Sequence, residues 1–252
     1  EGPFHTPAEK SRHQLVKGWM DRVAGNEAGE VGNVIHEFAR LAYRGRSASP
    51  EFVTKLEAIY HDHRRDDAAP LTALHEMLSI VLASPSFLYL AEAGEAQKRP
   101  LTQLELASRL SYFLWSAPPD QPLLDLAHQS KLTDPAALQS QVDRMLADPK
   151  SASFVEAFLD QWLGLDRLDF FQFNVKKHPQ FTVGTKKEAR QEIYETFAHW
   201  LRENGSLASL LRSDTVVING LLADLYGIPG VTGDHFRAVK VPPDSPRGGL
   251  LG

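Results

Sequence analysis

The sequence predicts an all-α fold: a multi-helix, bundle-like array in two packed helical halves, closed by an irregular C-terminal segment. Three observations predict it. Apolar residues recur at three- and four-residue spacing through most of the chain. Capping residues, several followed by Pro, stand in front of those runs. Residues 215–218 form the one β-like run, too isolated to found a sheet.

Residues 99–120, RPLTQLELASRLSYFLWSAPPD, organise the chain. Thr102 and Glu105 form a T-x-x-E capping box, in which each side chain satisfies a backbone N–H that the first helical turn leaves orphaned. Leu104, Leu106, Leu110, Phe113 and Leu114 follow at helical spacing, and residues 116–119 stop the helix with two prolines. This helix is expected to be central to the core.

From the N-terminus, Thr6-Pro7-Ala8-Glu9 is another capping box, opening a helix through Leu15, Val16, Trp19 and Val23 that ends near Gly25. Residues 30–43 carry Val31, Val34, Ile35, Phe38 and Leu41/Ala42 on one face. Ser49-Pro50 caps the next helix, with Phe52, Val53, Leu56, Ile59 and Tyr60 inward. Pro70 begins LTALHEMLSIVLAS, and Ser84-Pro85 restarts the chain. Residues 94–99 make a seam between the halves. Beyond the central helix, residues 120–128 form a short helix, and Asp134-Pro135 and Asp148-Pro149 start two more, the second ending at Gly164. Residues 166–184 are aromatic and irregular, and Phe170, Phe171, Phe173 and Phe181 are expected to pin this long loop against the helices. A long helix follows over 185–204, then a short one in SLASLLRSD, and Asn219 caps GLLADLY.

Composition narrows the function. The 252 residues carry a formal charge of −5 and are 42% hydrophobic, enough for a real core and without the basic face nucleic acid requires. No apolar run reaches the length of a membrane span. Cysteine is absent, which excludes disulfides, thiol catalysis and covalent c-type haem within this chain. The sequence as given opens without a signal-peptide pattern, and both ends are expected to be cut points of a longer chain.

The segment ELASRLSYFLWSAPPDQPLLDLA resembles the opening of domain of unknown function 1592, a family of extracytoplasmic proteins from planctomycete-type bacteria. The resemblance continues through VDRMLADPKSASFVEAFLDQWLGLDRL, LRENGSLASLLRSD and INGLLADLYGIPGV. Upstream, FARLAYRG and LASPSFLYLAE resemble the associated family 1595, and the terminal RGGLLG resembles the start of family 1588. The division expected on this basis is 1–95 (1595-like), 96–228 (1592-like) and 229–252 (the beginning of a 1588-like segment). The resemblance implies an extracytoplasmic location and the company of a c-type cytochrome domain elsewhere.

Several constellations offer chemistry, each with a plainer alternative. His61, His63 and Asp66, with Asp62 and Asp67 beside them, have metal-ligand character, but both His face one ion only if the helix has ended before them. The alternative is a solvated helix C-terminus. Glu188, Glu192, Glu195 and His199 fall in one narrow helical stripe, as a carboxylate-bridged metal or an acid/base pair requires. Ile193, Phe197, Trp200 and Leu201 lie nearly opposite, so the stripe is expected to face solvent. In the resembling family a Glu-Thr pair stands where this chain has Glu192-Ile193. Arg109 is a lone charge in an apolar helix, expected to make a structural salt bridge or a helix-end contact, because a buried guanidinium must be paired, with a carboxylate or phosphate clamp as the functional alternative. His36 and His75 are expected to be satisfied core histidines, with axial haem ligation as the alternative. Ser79 stands where an H-E-x-x-H motif after His75 needs its second His, and no nucleophile elbow or phosphate loop occurs.

The leading expectation is a helical structural or docking module of a large cytochrome-associated protein, with redox chemistry carried by other domains or chains. The alternatives are a metal- or haem-dependent oxidoreductase built on these His and Glu residues, and a partner- or glycan-binding module using the aromatic segment 166–181.

Overall fold

The computed structural model describes residues 7–90, 99–172, 174, 176–241, 245 and 247–250, with backbone alone at 7–12, 27 and 28. The capping-box side chains of Thr6 and Glu9, the seam over 94–98 and Phe173 lie outside the described residues. Compactness divides the chain elsewhere than at that seam. One unit takes residues 1–108 and 119–130, the other residues 109–118 and 131–252.

In the first unit, α1 (Pro7–Gly25), α2 (Glu27–Ala42), α3 (Pro50–Arg65) and α4 (Pro70–Ala83) bury one core. It holds Trp19 and Val23 of α1, Val31, Val34, Ile35 and Ala39 of α2, Leu56 and Tyr60 of α3, and Ala73, Leu74, Met77 and Val81 of α4. The i, i+3/i+4 spacing of each set is what puts it on one face. Leu15, Val16, Leu41 and Ile59, expected inward, are exposed, because they stand at the margins of those faces or beyond the neighbouring helices. Ser49 Oγ caps α3 by accepting from Phe52 N at 3.2 Å. The short α5 (Pro85–Leu88) restarts after Ser84, and α7 (Gln121–His128) is capped by Asp120. Between them, α6 (Gln103–Trp115) contributes its first turns to this unit. Its capping box forms as expected: Glu105 N donates to Thr102 Oγ1 at 3.3 Å and Thr102 N donates to Glu105 Oε2 at 2.8 Å. Gly45 turns the chain at φ +86°, where an added Cβ would meet Leu124 Cδ2 at 2.6 Å.

The second unit takes the rest of α6, then α8 (Pro135–Ala147), a 3-10 turn at Pro149–Ser151, α9 (Ala152–Leu163), α10 (Arg167–Phe170), α11 (Val183–Arg202) and α12 (Leu207–Leu211). Asp134 and Asp148 cap as their Asp-Pro pairs predict, and Gly164 ends α9 in the left-handed region at φ +63°. Val155 and Leu159 of α9 pack with Tyr194 and Phe197 of α11.

The isolated β-like run does found a sheet. β1 (Thr215–Ile218) pairs antiparallel with β2 (Arg237–Lys240), Thr215 opposite Lys240. Between the strands lies α13 (Gly220–Tyr226). Val216, Ile218, Leu222, Ala223, Val231 and Val241 close a small second core, so residues 229–241 are ordered by packing despite their Gly and Pro content. The all-α class holds, with this one ribbon added.

Candidate functional site

On α9, Phe154, Phe158 and Trp162 recur at four-residue spacing and form a stripe beside the buried pair Val155 and Leu159. Phe158 stacks between neighbours, with ring centroids 5.7 Å from Phe154, 5.4 Å from Trp162 and 5.6 Å from Phe197. From the last turns of α6, Phe113 approaches Phe154 at 4.9 Å. Phe113 lies two residues, about 200° of helical turn, from fully buried Ser111, so it points outward and is 63% exposed. This corrects its expected place in the core. Phe113, Phe154, Phe158 and Trp162, together with Tyr112, Ser116, Ala157 and Gln161, line an open groove of about 520 Å³. Trp162 is 50% exposed on its rim. A signal for the groove existed in the sequence, because the apolar face of α9 is wider than one core contact needs.

Along α11 the acidic stripe does not face solvent. The helix packs on α9 on one side and on β1 and α13 on the other, so both faces are occupied. Glu188 Oε2 accepts from Asn219 Nδ2 at 2.7 Å, and Glu192 Oε2 accepts from the Tyr226 hydroxyl at 2.5 Å. Asn219 caps the start of α13 and Tyr226 is its last residue, so two glutamates one turn apart hold both ends of that helix. Burial pushes the Glu192 carboxyl above its ordinary range, against the lowering effects of the Tyr226 bond and of the Arg247 charge. The same burial, reinforced by Glu192, raises the Tyr226 phenol. Arg247 lies 4.1 Å over the Tyr226 ring, the geometry of a cation–π contact. Glu195 accepts from Gln191 Nε2 at 3.1 Å, and His199 lines a separate small cavity of about 120 Å³ with Glu203, Ser213 and Thr215. The stripe thus divides: Glu188 and Glu192 form a structural clasp, and His199 borders a small cavity apart from it.

The other singled-out residues do not converge. α3 runs on to Arg65, so His61 and His63 leave the helix on different sides and the geometric condition for a shared ion is not met. His61 rests edge-on against Tyr60, His63 Nδ1 pairs with Glu76, and Asp66 is the C-cap. His36 and His75 are exposed rather than core residues. His36 is about 100° round from buried Ile35, and His75 is about 200° from buried Met77. Arg109 is likewise exposed, about 200° from buried Ala107. Among the described residues, no group of three His, Cys, Asp or Glu is arranged to hold a metal ion. Phe170 and Phe171 are 85% and 55% exposed and do not pin the segment they belong to, whereas Phe181 is half-buried. No helix among the described residues is long and apolar enough to cross a membrane.

Comparison with protein families matches residues 101–228 to the DUF1592 proteins of unknown function (PSD4) and residues 30–92 to the DUF1595 proteins of unknown function (PSD5). Comparison with curated proteins and with solved structures finds no match.

Proposed function

The chain belongs to the DUF1592 family of proteins of unknown function, and on that premise we propose that it is a helical docking module whose aromatic groove receives an apolar partner surface. The observation that carries this reading is the groove on α6 and α9, where Phe113 and Trp162 stay more than half or half exposed although they adjoin a packed aromatic row. Clustered aromatic side chains with two rotatable bonds lose little entropy on contact and dominate interface energetics. By contrast, Glu188 and Glu192 of α11 are engaged in holding α13, which leaves them a structural task.

The partner in this reading is a c-type cytochrome domain or chain within a larger extracytoplasmic assembly. Its support is the resemblance of the sequence motifs, together with the absence of cysteine, which requires any covalent c-type haem to come from the partner. The apolar rim of an exposed haem edge suits an aromatic groove, and the formal charge of −5 suits a basic partner. Calorimetric titration with a c-type cytochrome tests the reading. Saturable binding is expected, weakened about tenfold or more by Phe113→Ser. Phe113 is exposed, so the variant keeps the fold. Absence of binding, or binding that Phe113→Ser leaves unchanged, rejects the proposal.

A further inference from the structure

The segment between α9 and the middle of α11 differs in charge from the rest of the chain. From residue 164 to residue 190, six Lys and Arg stand against three carboxylates, Asp166, Asp169 and Glu188, in a chain of formal charge −5. Glu188 is turned to Asn219, which leaves Asp166 and Asp169 as the outward carboxylates of the segment. α10 is held on the first turns of α11 by cationic donors. Lys186 Nζ donates to Leu168 O at 2.9 Å, and Arg190 donates to Leu165 O at 2.6 Å and reaches Asp169 at 3.2 Å. Val183, Asp169 and Lys187 consequently border one shallow recess of about 270 Å³, and Phe170 follows Asp169 in the chain.

At this corner Phe170 and Val183 are each 85% exposed, the highest values among the large apolar side chains of the described residues. Single exposed apolar residues are ordinary on a protein surface. Two nearly bare ones from adjoining elements, set within a basic segment of an acidic protein, are the pattern of a surface that meets lipid.

We propose that this corner is an interfacial membrane-binding patch: Phe170 and Val183 enter the headgroup–acyl boundary of an anionic bilayer, while Arg167, Lys176, Lys177 and Lys187 lie at the lipid phosphates. The four cations are all exposed: Arg167 is on α10, Lys187 is on α11, and Lys176 and Lys177 are in the segment that joins them. Each basic side chain near an anionic surface raises affinity about fivefold, and the attraction falls with added salt. An acidic polysaccharide fits less well, because Val183 is aliphatic and has no ring face on which a sugar can stack. The surface is distinct from the aromatic groove, so the two proposals stand or fall separately.

Vesicle flotation of the full chain tests it, using phosphatidylcholine vesicles with and without about 30% phosphatidylglycerol. The chain is expected to float with the anionic vesicles at low salt and to be released by salt. Phe170→Ser/Val183→Ser should weaken that binding about tenfold, and Lys176→Gln/Lys177→Gln should lower it while reducing its salt sensitivity. Phe113→Ser should leave it intact. All the altered side chains are exposed, and a thermal melt confirms that each variant is folded. Absence of flotation at low salt overturns the proposal. So does flotation unaffected by Phe170→Ser/Val183→Ser, or retention on immobilised alginate without vesicle binding.

Discussion

Glu105 in the first unit and Glu192 in the second are both withdrawn from water, yet their surroundings move them in opposite directions. Arg99 grips Glu105 through two bonds of 2.7 Å, and that guanidinium, with the Thr102 backbone N–H, holds the carboxyl down at about 2. Glu192 has a neutral phenol for its nearest donor, so burial prevails and its carboxyl rises. A carboxylate that gains a charged donor contributes stability as the anion, whereas one that is buried beside a neutral donor contributes it as the acid. The same contrast runs through the two units. In the first, polar groups meet charged partners close by, as where Arg22 binds both Glu30 and Glu37 and Trp19 Nε1 donates to Glu37. In the second, a carboxylate relies on a phenol, and Phe113 of α6, Trp162 of α9 and Phe170 of α10 are left in water.

The comparison can be broken most forcefully at Gly45. Gly45→Ala places a Cβ against Leu124 at a positive φ and is expected to cost about 3 kcal/mol in urea denaturation. Arg99→Ala strands the buried Glu105 carboxylate and should cost about 2 kcal/mol near neutral pH. The Glu105 contribution is present above about pH 4.5 and is lost as pH falls toward 2, so the Arg99→Ala deficit should shrink on acidification. In the second unit, Tyr226→Phe leaves Glu192 without its hydroxyl donor and should cost about 1 kcal/mol. Because the folded Glu192 carboxyl titrates above its unfolded value, its contribution is complete below the unfolded pKa and is lost as pH rises through the folded one. Glu192→Gln keeps an acceptor for Tyr226 and should flatten that dependence, visible as a smaller fall in melting temperature between mildly acidic and neutral pH. The smallest effect is expected at Trp162→Ser. This half-exposed rim residue should change stability by less than about 1 kcal/mol while weakening whatever enters the groove.

Much of the fold was legible because its signals are local. A capping oxygen meets an N–H two or three residues away, so Ser49, Thr102, Asp120, Asp134, Asp148 and Asn219 announce helix starts without knowledge of the rest of the chain. The helical period likewise set most of the core faces of α2 and α3, with Leu41 and Ile59 as the exceptions. The candidate site was much less legible. The stripe of Glu188, Glu192, Glu195 and His199 was visible, but its surroundings were not. Glu188 and Glu192 find their partners 31 and 34 residues away, and β1 finds a strand whose paired residues begin at Lys240.

By itself, then, the sequence determined where most helices begin and end, which residue types line the first core, and that no cysteine-linked c-type haem can attach to these residues. Only the tertiary structure decided that the acidic stripe clasps α13, that Phe113 and Trp162 border a groove, and that Phe170 and Val183 stand in water. The physical reason is range. A cap is a bond between near neighbours in the chain, whereas burial depends on which distant elements cover a face, and no periodicity in one helix says what will pack on its second side.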